Sequence, residues 1–302
     1  MGTEHTAILE AKKITAPGEN KVVTPSPTHA LSTETVDIDK HCIGDRWAVK
    51  DVERLARLIA IIAMGQATHA AKIIAELRPA DAAIHHNALK NAAKQQLSIT
   101  GDAAERRDAS RWRRDGFIFE AISWIAARQN GGESALLKDP HIKSTTQGID
   151  GLMIELDPTK CEVVRATIFE DKCSDDPRRM FRDEILRTFA DHHENKRGPE
   201  LVSVAAALIK QAGLDGSEAT QAAARVLDYQ FRQYRAALAV AAAEDSQERR
   251  QALFKNYDEL NGIEQHQRVG ASFIMPGKLR DWFDTVAMRA IAYIETLPDG
   301  AA

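Results

Sequence analysis

The sequence predicts an α/β protein whose mixed sheet is flanked by helices. Two neighbouring segments, 150–156 and 163–172, alternate apolar with other residues as strands do, and 268–275 (RVGASFIM) adds a late strand. Apolar residues at helical spacing precede and follow these segments. The resulting order of helix, weak strand, strand, strand, helix and late strand is typical of an α/β core with helical additions.

Composition places the chain among ordinary globular proteins. Its 302 residues, of which 44% are hydrophobic and 28% charged, are enough for one or two domains with a sizeable core. A net charge of −4 argues against a protein that coats nucleic acid electrostatically. The chain has no apolar run of about 18 residues, no secretory signal and only scattered cysteines, which predicts a cytoplasmic protein with reduced thiols and no membrane contact.

Three regions are expected along the chain. Residues 1–46 are rich in Thr, Pro, Ser, Glu and Lys, which predicts a flexible N-terminal arm. Residues 47–101 carry apolar residues at helical spacing and predict a helical N-terminal segment. Residues 102–302 form the α/β domain, within which the alanine-rich stretch at about 200–260 predicts a helical insertion.

Local signals set the elements of the α/β domain. Asp102 caps a helix that ends before the glycines at 131–132. Residues 133–147 are compatible with either a first strand or a loop. Pro177 begins the helix that follows the two central strands, and an amphipathic helix closes the domain after the turn at 276–277.

Three charged residues end apolar stripes on the two central strands. Because side chains alternate faces along a strand, Asp150 shares its face with apolar residues of 150–156. By the same rule Glu170 and Lys172 share their face with apolar residues of 163–172. An isolated buried charge is costly unless it is paired or bound to a metal ion. A divalent cation is the simplest common partner for these three residues.

The pairing of the two strands decides whether the acids meet. A three-residue loop after Asp157 places Asp150 opposite Ile168 and diagonal to Glu170, and diagonal neighbours lie about 7–8 Å apart. A two-residue loop places Asp150 opposite Thr167 and sends the two acids to opposite faces. The metal-site hypothesis therefore requires an odd loop or a β-bulge.

A fourth acid lies on the helix that precedes the sheet. Glu120 shares a helical face with Phe117, Trp124 and Ala127, which follow the i, i+3, i+7, i+10 spacing. A carboxylate within such an apolar stripe also needs a partner. Glu120 is therefore a further candidate for the same site.

These residues resemble the motif of the PD-(D/E)xK nuclease superfamily, which includes restriction and DNA-repair nucleases. The matching residues are Asp150, then nineteen residues, then Glu170-Asp171-Lys172. Members of the superfamily often add a glutamate on the helix before the sheet, and Glu120 stands at that place.

The likeness covers about residues 105–195, together with 268–275. It implies a restriction-endonuclease-like fold, in which a helix, three antiparallel strands, a helix and a further strand form the core. The superfamily's first strand has no clear counterpart here. The middle residue of its motif is usually apolar, whereas Asp171 is charged. A register slip of one residue would make Asp171 the ligand in place of Glu170.

The resemblance implies a metal-dependent endonuclease that hydrolyses DNA, with RNA as an alternative substrate, in anti-phage defence or restriction. Asp150 and Glu170 would bind Mg²⁺ or Mn²⁺, which prefer oxygen ligands. Glu120 would orient a metal-bound water or help to hold a second ion. Lys172 would position the nucleophile and stabilise negative charge, and whether it also acts as a general base stays open.

Arginines flank the proposed site in the sequence, and this pattern predicts contacts with phosphate. Arg106, Arg107 and Arg111 crowd the helix that leads to Glu120. The predicted nucleic-acid contacts are Arg113 and Arg114 on that helix, and Arg178, Arg179 and Arg182 on the helix after Lys172. The alternative is that these arginines form solvated, salt-bridged helix faces.

A second interpretation needs no catalysis. Glu170 and Lys172 can be strand-end charges that reach water, and Asp150 can cap a tight glycine turn. The helices at 50–100 and 200–260 would then dock a protein partner. In that case the chain would be a catalytically silent, nuclease-like scaffold of a defence or DNA-processing complex. The four charged positions favour the nuclease, because a scaffold needs none of them.

Overall fold

One mixed sheet organises the chain. The computed structural model describes residues 29–76, 86–131, 135–142, 148–157 and 162–299. Within these residues a seven-stranded sheet is flanked by helices, which confirms the predicted α/β class. The strands are β1 (Leu31–Asp39), β2 (Cys42–Val49), β3 (Leu136–Leu137), β4 (Gly151–Leu156), β5 (Val163–Lys172), β6 (Arg232–Ala241) and β7 (Arg268–Met275).

The described helices lie between β2 and β3, between β5 and β6, between β6 and β7, and after β7. The α-helices of the described part of the chain are α1 (Val52–Ala63), α2 (Ala67–Ile74), α3 (Asn87–Leu97), α4 (Ala104–Gly131), α5 (Pro177–Met180), α6 (Leu186–His193), α7 (Gly198–Gln211), α8 (Gly216–Ala224), α9 (Gln247–Leu253) and α10 (Leu279–Thr296). A π-helical segment at Phe181–Ile185 joins α5 to α6. No helix among the described residues is both long and apolar enough to cross a membrane.

The strand order places the start of β4 beside the end of β5. The sheet has the order β1-β2-β7-β6-β5-β4-β3. The four central strands β2, β7, β6 and β5 run parallel, so their carboxyl ends share one edge. Because β4 runs antiparallel to β5, residues that precede β4 lie at this same edge. Residues that end β5 and residues that begin β4 are therefore neighbours.

Two hydrophobic cores cover the two faces of the sheet. On one face, alternate residues such as Ala237 and Phe273 pack against α1 to α4 and α10. On the other face, residues such as Ala236 and Leu238 pack against α6 to α9. The strands β6 and β7 are thus buried on both sides, and their sequences are mostly apolar.

The prediction of a flexible arm over residues 1–46 is wrong for its described part. β1 and β2 form an antiparallel hairpin, and β2 joins the sheet beside β7, so the expected boundary at 46/47 falls inside β2. The polar composition of β1 misled the prediction, because β1 is an edge strand whose middle faces solvent while Leu31 and Ile38 near its ends are buried. Residues 1–28 lie outside the described residues.

The predicted helical insertion at about 200–260 is wrong in its centre. The helices α7, α8 and α9 lie there, but β6 runs between them as a central strand. Its alanine-rich sequence, RQYRAALAVA, has high helix propensity. Burial between β5 and β7 and against both cores overrides that propensity, because small residues let helices pack closely on the sheet.

Other predicted elements are confirmed. In the described part of 47–101 the helices α1, α2 and α3 follow β2, α4 matches the helix predicted from Asp102, and the late strand is β7. Within 133–147, the two-residue β3 pairs with β4, and 133–134 and 143–147 lie outside the described residues.

Candidate active site

Asp150 and Glu170 face each other at the edge of the sheet where β5 ends. Gly151, the first residue of β4, pairs with Phe169 in the antiparallel ladder. The next position outward therefore sets Asp150 opposite Glu170. Phe169 closes on the glycine, since a Cβ at Gly151 would meet the Phe169 Cβ at 3.1 Å. This close packing fixes the position along the two strands at which Asp150 lies opposite Glu170.

A β-bulge brings the two acids to one face. The ladder between β4 and β5 shifts after Glu155 and leaves Val164 unpaired and exposed. The requirement for an odd loop or a bulge is thus confirmed. The predicted partner of Asp150, Ile168, is wrong by two residues, because the bulge adds a residue to β5 and the turn after β4 is longer than expected.

Lys172 lies between these two carboxylates. Its Nζ is 2.6 Å from Glu170 Oε1 and 3.5 Å from Asp150 Oδ2. The backbone N–H of Asp171 also donates to Asp150 Oδ2, across 3.1 Å. Three residues that were predicted to lie on inward strand faces, Asp150, Glu170 and Lys172, therefore form one hydrogen-bonded cluster.

The environment of this cluster shifts the proton affinity of its members. Burial and the nearby Asp150 raise the pKa of Glu170 to about 7, although Lys172 opposes the shift. Burial alone would lower the pKa of Lys172, but Glu170 and Asp150 outweigh it and the pKa is raised. Lys172 is therefore a firmly held cation beside a carboxyl group that titrates near neutral pH.

Asp171 points to the opposite face of the sheet. Its side chain is 3% exposed and its Oδ1 lies 3.6 Å from Nη2 of Arg235, a buried residue of β6 that also donates to Ser123 Oγ of α4. The Arg235 guanidinium stacks 3.4 Å from the centroid of the Phe169 ring. The alternative in which Asp171 replaces Glu170 is therefore not supported, because the two carboxylates lie on different faces.

The partner of the Glu120 carboxylate is His141. Glu120 Oε1 accepts from the backbone N–H of His141 across 2.7 Å and lies 3.0 Å from His141 Nδ1. His141 Nε2 is in turn 3.1 Å from the Nζ of Lys138. Burial lowers the pKa of Lys138, and the negative charges of Glu120 and Asp150 offset only part of this shift. Lys138 thus links the Glu120–His141 pair electrostatically to Asp150.

Comparison with known proteins assigns no family to this site. No protein-family model matches the chain, and no curated protein matches it at a significant level. The resemblance to the PD-(D/E)xK superfamily consequently depends on the site residues and their strand context. What the site does has to be argued from its own chemistry.

Oxygen atoms are the donors that this site offers to a metal ion. Asp150 and Glu170 present two carboxylates on one face, with Lys172 between them. Among the described residues, no group of three or more His, Cys, Asp or Glu side chains is arranged to hold an ion. Two carboxylates are nevertheless an ordinary protein contribution to a Mg²⁺ site, since waters and substrate phosphates complete its coordination.

The predicted nucleic-acid arginines divide into buried and exposed ones. Arg114 is 5% exposed and pairs with Asp115 and Asp284, so its predicted role in binding nucleic acid is wrong. This guanidinium is needed inside the protein to neutralise the completely buried Asp115. Arg178 is half-buried and donates to backbone carbonyl groups of Leu253 and Lys255.

Arg113, Arg179 and Arg182 remain at the surface. Arg182 pairs with Asp183, the residue next to it, across 2.6 Å. Arg179 lies 3.8 Å from Asp176, at the start of the same helix. Exposed pairs of this kind contribute little to stability and leave the guanidinium groups accessible to solvent.

Sequence reasoning missed the residues that surround the central cluster. Lys138 and His141 fall in the stretch that was compatible with strand or loop, so no face could be assigned to them. Glu200 accepts from the backbone N–H of Ile149, next to Asp150, across 3.1 Å. One signal was present: two basic side chains close to a short apolar pair, Leu136–Leu137, one strand before the acids.

Proposed function

We propose that the chain is a metal-dependent endonuclease that hydrolyses DNA phosphodiester bonds on a restriction-endonuclease-like core. The observation that carries the proposal is the contact of Lys172 with both Glu170 and Asp150 at the sheet edge. Two carboxylates beside a cation form a site that can bind a divalent ion and stabilise an anionic phosphate at adjacent positions. Few structural roles require this combination at the exit of a buried strand.

The order of elements supports the same proposal. A long helix, α4, precedes three strands that pair antiparallel, β3, β4 and β5. The helices α5 to α8 follow, and then β6 joins β5 in parallel. This is the order that the resemblance to the PD-(D/E)xK superfamily implies for a nuclease core. The strand beside β5 is thus β6 and not the predicted 268–275, which is β7 and pairs with β6. The hairpin of β1 and β2 and the remaining helices would be additions to that core.

Asp150 and Glu170 would hold Mg²⁺ or Mn²⁺. Their oxygen atoms suit these ions. Burial, followed by the charge of Asp150, raises the pKa of Glu170, and a cation bound between the two carboxylates would favour their ionised forms. When bound, such an ion lowers the pKa of a coordinated water and neutralises charge on phosphate. Glu120 would contribute less directly than the motif implies, since one of its oxygen atoms is engaged by His141.

The chain's own groups would orient and neutralise the substrate. Lys172, whose pKa is raised by its carboxylate neighbours, would donate hydrogen bonds to a phosphate oxygen as negative charge develops there. The Asp171 N–H fixes the carboxylate of Asp150. Lys138, whose ammonium donates to His141 Nε2 and interacts electrostatically with Asp150, supplies a further hydrogen-bond donor suited to a phosphate oxygen.

A catalytically silent scaffold is the second candidate. The observation that favours it is the closed ion pair itself: Lys172 already satisfies Glu170 at 2.6 Å, so the cluster can be stable without a substrate or an ion. In this case the helices on both faces of the sheet would serve a protein partner in a defence or DNA-processing complex.

Cleavage of supercoiled plasmid DNA in Mg²⁺ or Mn²⁺ tests the proposal. The variants are Lys172→Ala, Glu170→Gln and Asp150→Asn. Glu155→Gln is a matched control, because Glu155 is the carboxylate of an ion pair with Arg165 at the other end of the same two strands. Lys196→Ala is the control for the lysine, since Lys196 contacts two carboxylates at an exposed site.

We expect nicking or linearisation by the wild type and by both controls, and loss of at least a hundredfold in rate in the three site variants. Cleavage by the site variants at the wild-type rate would place the activity elsewhere and refute the assignment. A folded wild type that cleaves neither DNA nor RNA, with either metal, would favour the scaffold.

A further inference from the structure

Trp112 is an exposed tryptophan on a helix that leads to the candidate site. Its exposure is 60%, whereas Trp47, Trp124 and Trp282 are 1%, 3% and 8% exposed. Tryptophan normally buries most of its large apolar surface. The exposed indole of Trp112 can therefore stack on a ligand that has a flat apolar face.

The position of Trp112 on α4 connects it to Glu120. Trp112, Gly116 and Glu120 are spaced i, i+4, i+8 and so form one row along the helix. Eight residues of helix place Glu120 roughly 12 Å from Trp112 along the axis. Between them, a Cβ at Gly116 would meet no atom within 4 Å. The surface from the indole to the site is thus unobstructed at its midpoint.

Positive charge accompanies the exposed indole. Arg106, Arg107 and Arg113 are exposed on the same stretch of α4, and no carboxylate of the described residues pairs with them. Asp108, four residues before Trp112, pairs with Arg111 at 3.5 Å, and Asp115, three residues after it, is buried and paired with Arg114 and Arg280. Glu105, seven residues before Trp112 on the same helical face, is exposed and adds one negative charge. Arg106 and Arg113 outweigh it, so the surface beside the indole suits an anion with flat rings.

We propose that this surface of α4, formed by Trp112, Gly116, Arg106 and Arg113, binds single-stranded nucleic acid. A base would stack on the indole of Trp112, and Arg113 would contact the adjoining phosphate. Duplex DNA offers no free base face for such stacking, because its bases already stack on one another. The inference rests on the proposed nuclease function, and it assigns a single-stranded substrate, or a single-stranded part of one, to that site.

Binding is measured without metal, in EDTA, so that no cleavage occurs. The probe is one labelled oligodeoxynucleotide of mixed sequence, offered single-stranded or annealed to its complement. Fluorescence anisotropy gives Kd for the full-length wild type and for Trp112→Ala and Trp112→Phe. Met288→Ala is the matched control, because Met288 is an exposed apolar residue, 63% exposed, on the neighbouring helix α10. Thermal melting verifies that each variant is folded.

We expect tighter binding of the single strand than of the duplex by the wild type. Trp112→Ala should weaken single-strand binding about tenfold, while Trp112→Phe, which keeps an aromatic face, and Met288→Ala should stay close to the wild type. Intrinsic fluorescence should be quenched by the single strand in the wild type and much less in Trp112→Phe, because the three remaining tryptophans are buried.

The outcomes separate this inference from the nuclease proposal. Metal-dependent cleavage together with unchanged binding by Trp112→Ala would overturn the α4 surface and leave the nuclease intact. Single-strand binding that depends on Trp112, in a protein that cleaves nothing, would support the surface and refute the nuclease. Preference for the duplex, or no binding of either form, would overturn the inference.

Discussion

Lys172 and Glu170 form a 2.6 Å ion pair on one face of β5, two residues apart at the exit of a buried strand. The same lysine lies 3.5 Å from Asp150, so one ammonium group serves two carboxylates. The side chain of Lys172 is 23% exposed and that of Glu170 is 7% exposed, so the pair is mostly shielded from solvent. When both carboxylates are ionised, the lysine balances only one of them, and the remaining negative charge is what a divalent cation can recognise.

Millimolar Mg²⁺ should therefore raise the melting temperature of the wild type. Because an ion that binds only the folded chain stabilises it by mass action, a tenfold excess over Kd corresponds to about 1.4 kcal/mol. Asp150→Asn removes one of the two carboxylates and should abolish the increase. Glu155→Gln, in the same hairpin, should keep it. An equal increase in all three proteins, measured by differential scanning fluorimetry, would indicate binding elsewhere.

Asp171 should make the protein less stable as the pH rises toward neutral. Burial is the main cause that raises the pKa of Asp171 to about 7 from 3.8, against the opposing charge of Arg235. Between these two pH values the folded chain keeps a proton that the unfolded chain has lost. The free energy of unfolding therefore falls as pH rises through this window, by up to about 1.4 kcal/mol per pH unit.

Asp171→Asn tests this dependence, because the amide does not titrate. Relative to the wild type, the variant should gain stability steadily from pH 4.5 to pH 7 in urea denaturation. Asp191→Asn is the control, since hydrogen bonding to Lys196 lowers the pKa of this exposed carboxylate. Parallel curves for the wild type and Asp171→Asn would show that Asp171 ionises normally.

The central part of the site was predictable because strand geometry is local. Alternation alone placed Asp150, Glu170 and Lys172 on inward faces, and the need for a bulge followed from the same period. The bulge itself at Val164, and hence the direct opposition of Asp150 and Glu170, depended on a turn that the sequence does not specify.

Contacts between distant segments could not be predicted in this way. Arg114 looked like a surface cation on its helix, but its partner Asp284 belongs to α10. Lys138 and His141 acquire their roles only when α4 brings Glu120 above the sheet. The strand β6 was hidden because alanine favours helices locally, and only its neighbours on both sides determine the strand.

The β1–β2 hairpin should be an integral part of the fold, and Gly44 tests this. A Cβ at Gly44 would overlap the backbone oxygen of Val36 and would come within 2.7 Å of Ile38 Cγ1. Since a backbone atom cannot move aside cheaply, Gly44→Ala should lower the free energy of unfolding by about 1–3 kcal/mol. Gly116→Ala has open space and helical conformation, so it should stabilise by about 0.5–1 kcal/mol. Chemical denaturation that leaves Gly44→Ala as stable as the wild type would mean that the hairpin is only loosely attached.

His192 should make the protein sensitive to acid. It is 2% exposed, and neither ring nitrogen has a hydrogen-bond partner among the described residues. Burial, followed by the nearby Arg197, lowers the pKa of His192 to about 4. The unfolded chain binds a proton below about pH 6.5, whereas the folded chain does not until about pH 4, so stability is lost as the pH falls through this window.

His192→Leu should therefore stabilise the protein more at pH 5 than at pH 7.5, with a difference of about 1–2 kcal/mol in the free energy of unfolding. Leucine lacks the two unsatisfied nitrogen atoms, and this gain in stability is the same at every pH. A second gain appears only at acidic pH, where protonation of His192 in the unfolded chain destabilises the wild type. His266→Leu, which removes an imidazole at an exposed position, is the control. An equal gain at both pH values would mean that desolvation of the ring, and not its protonation, accounts for the whole effect.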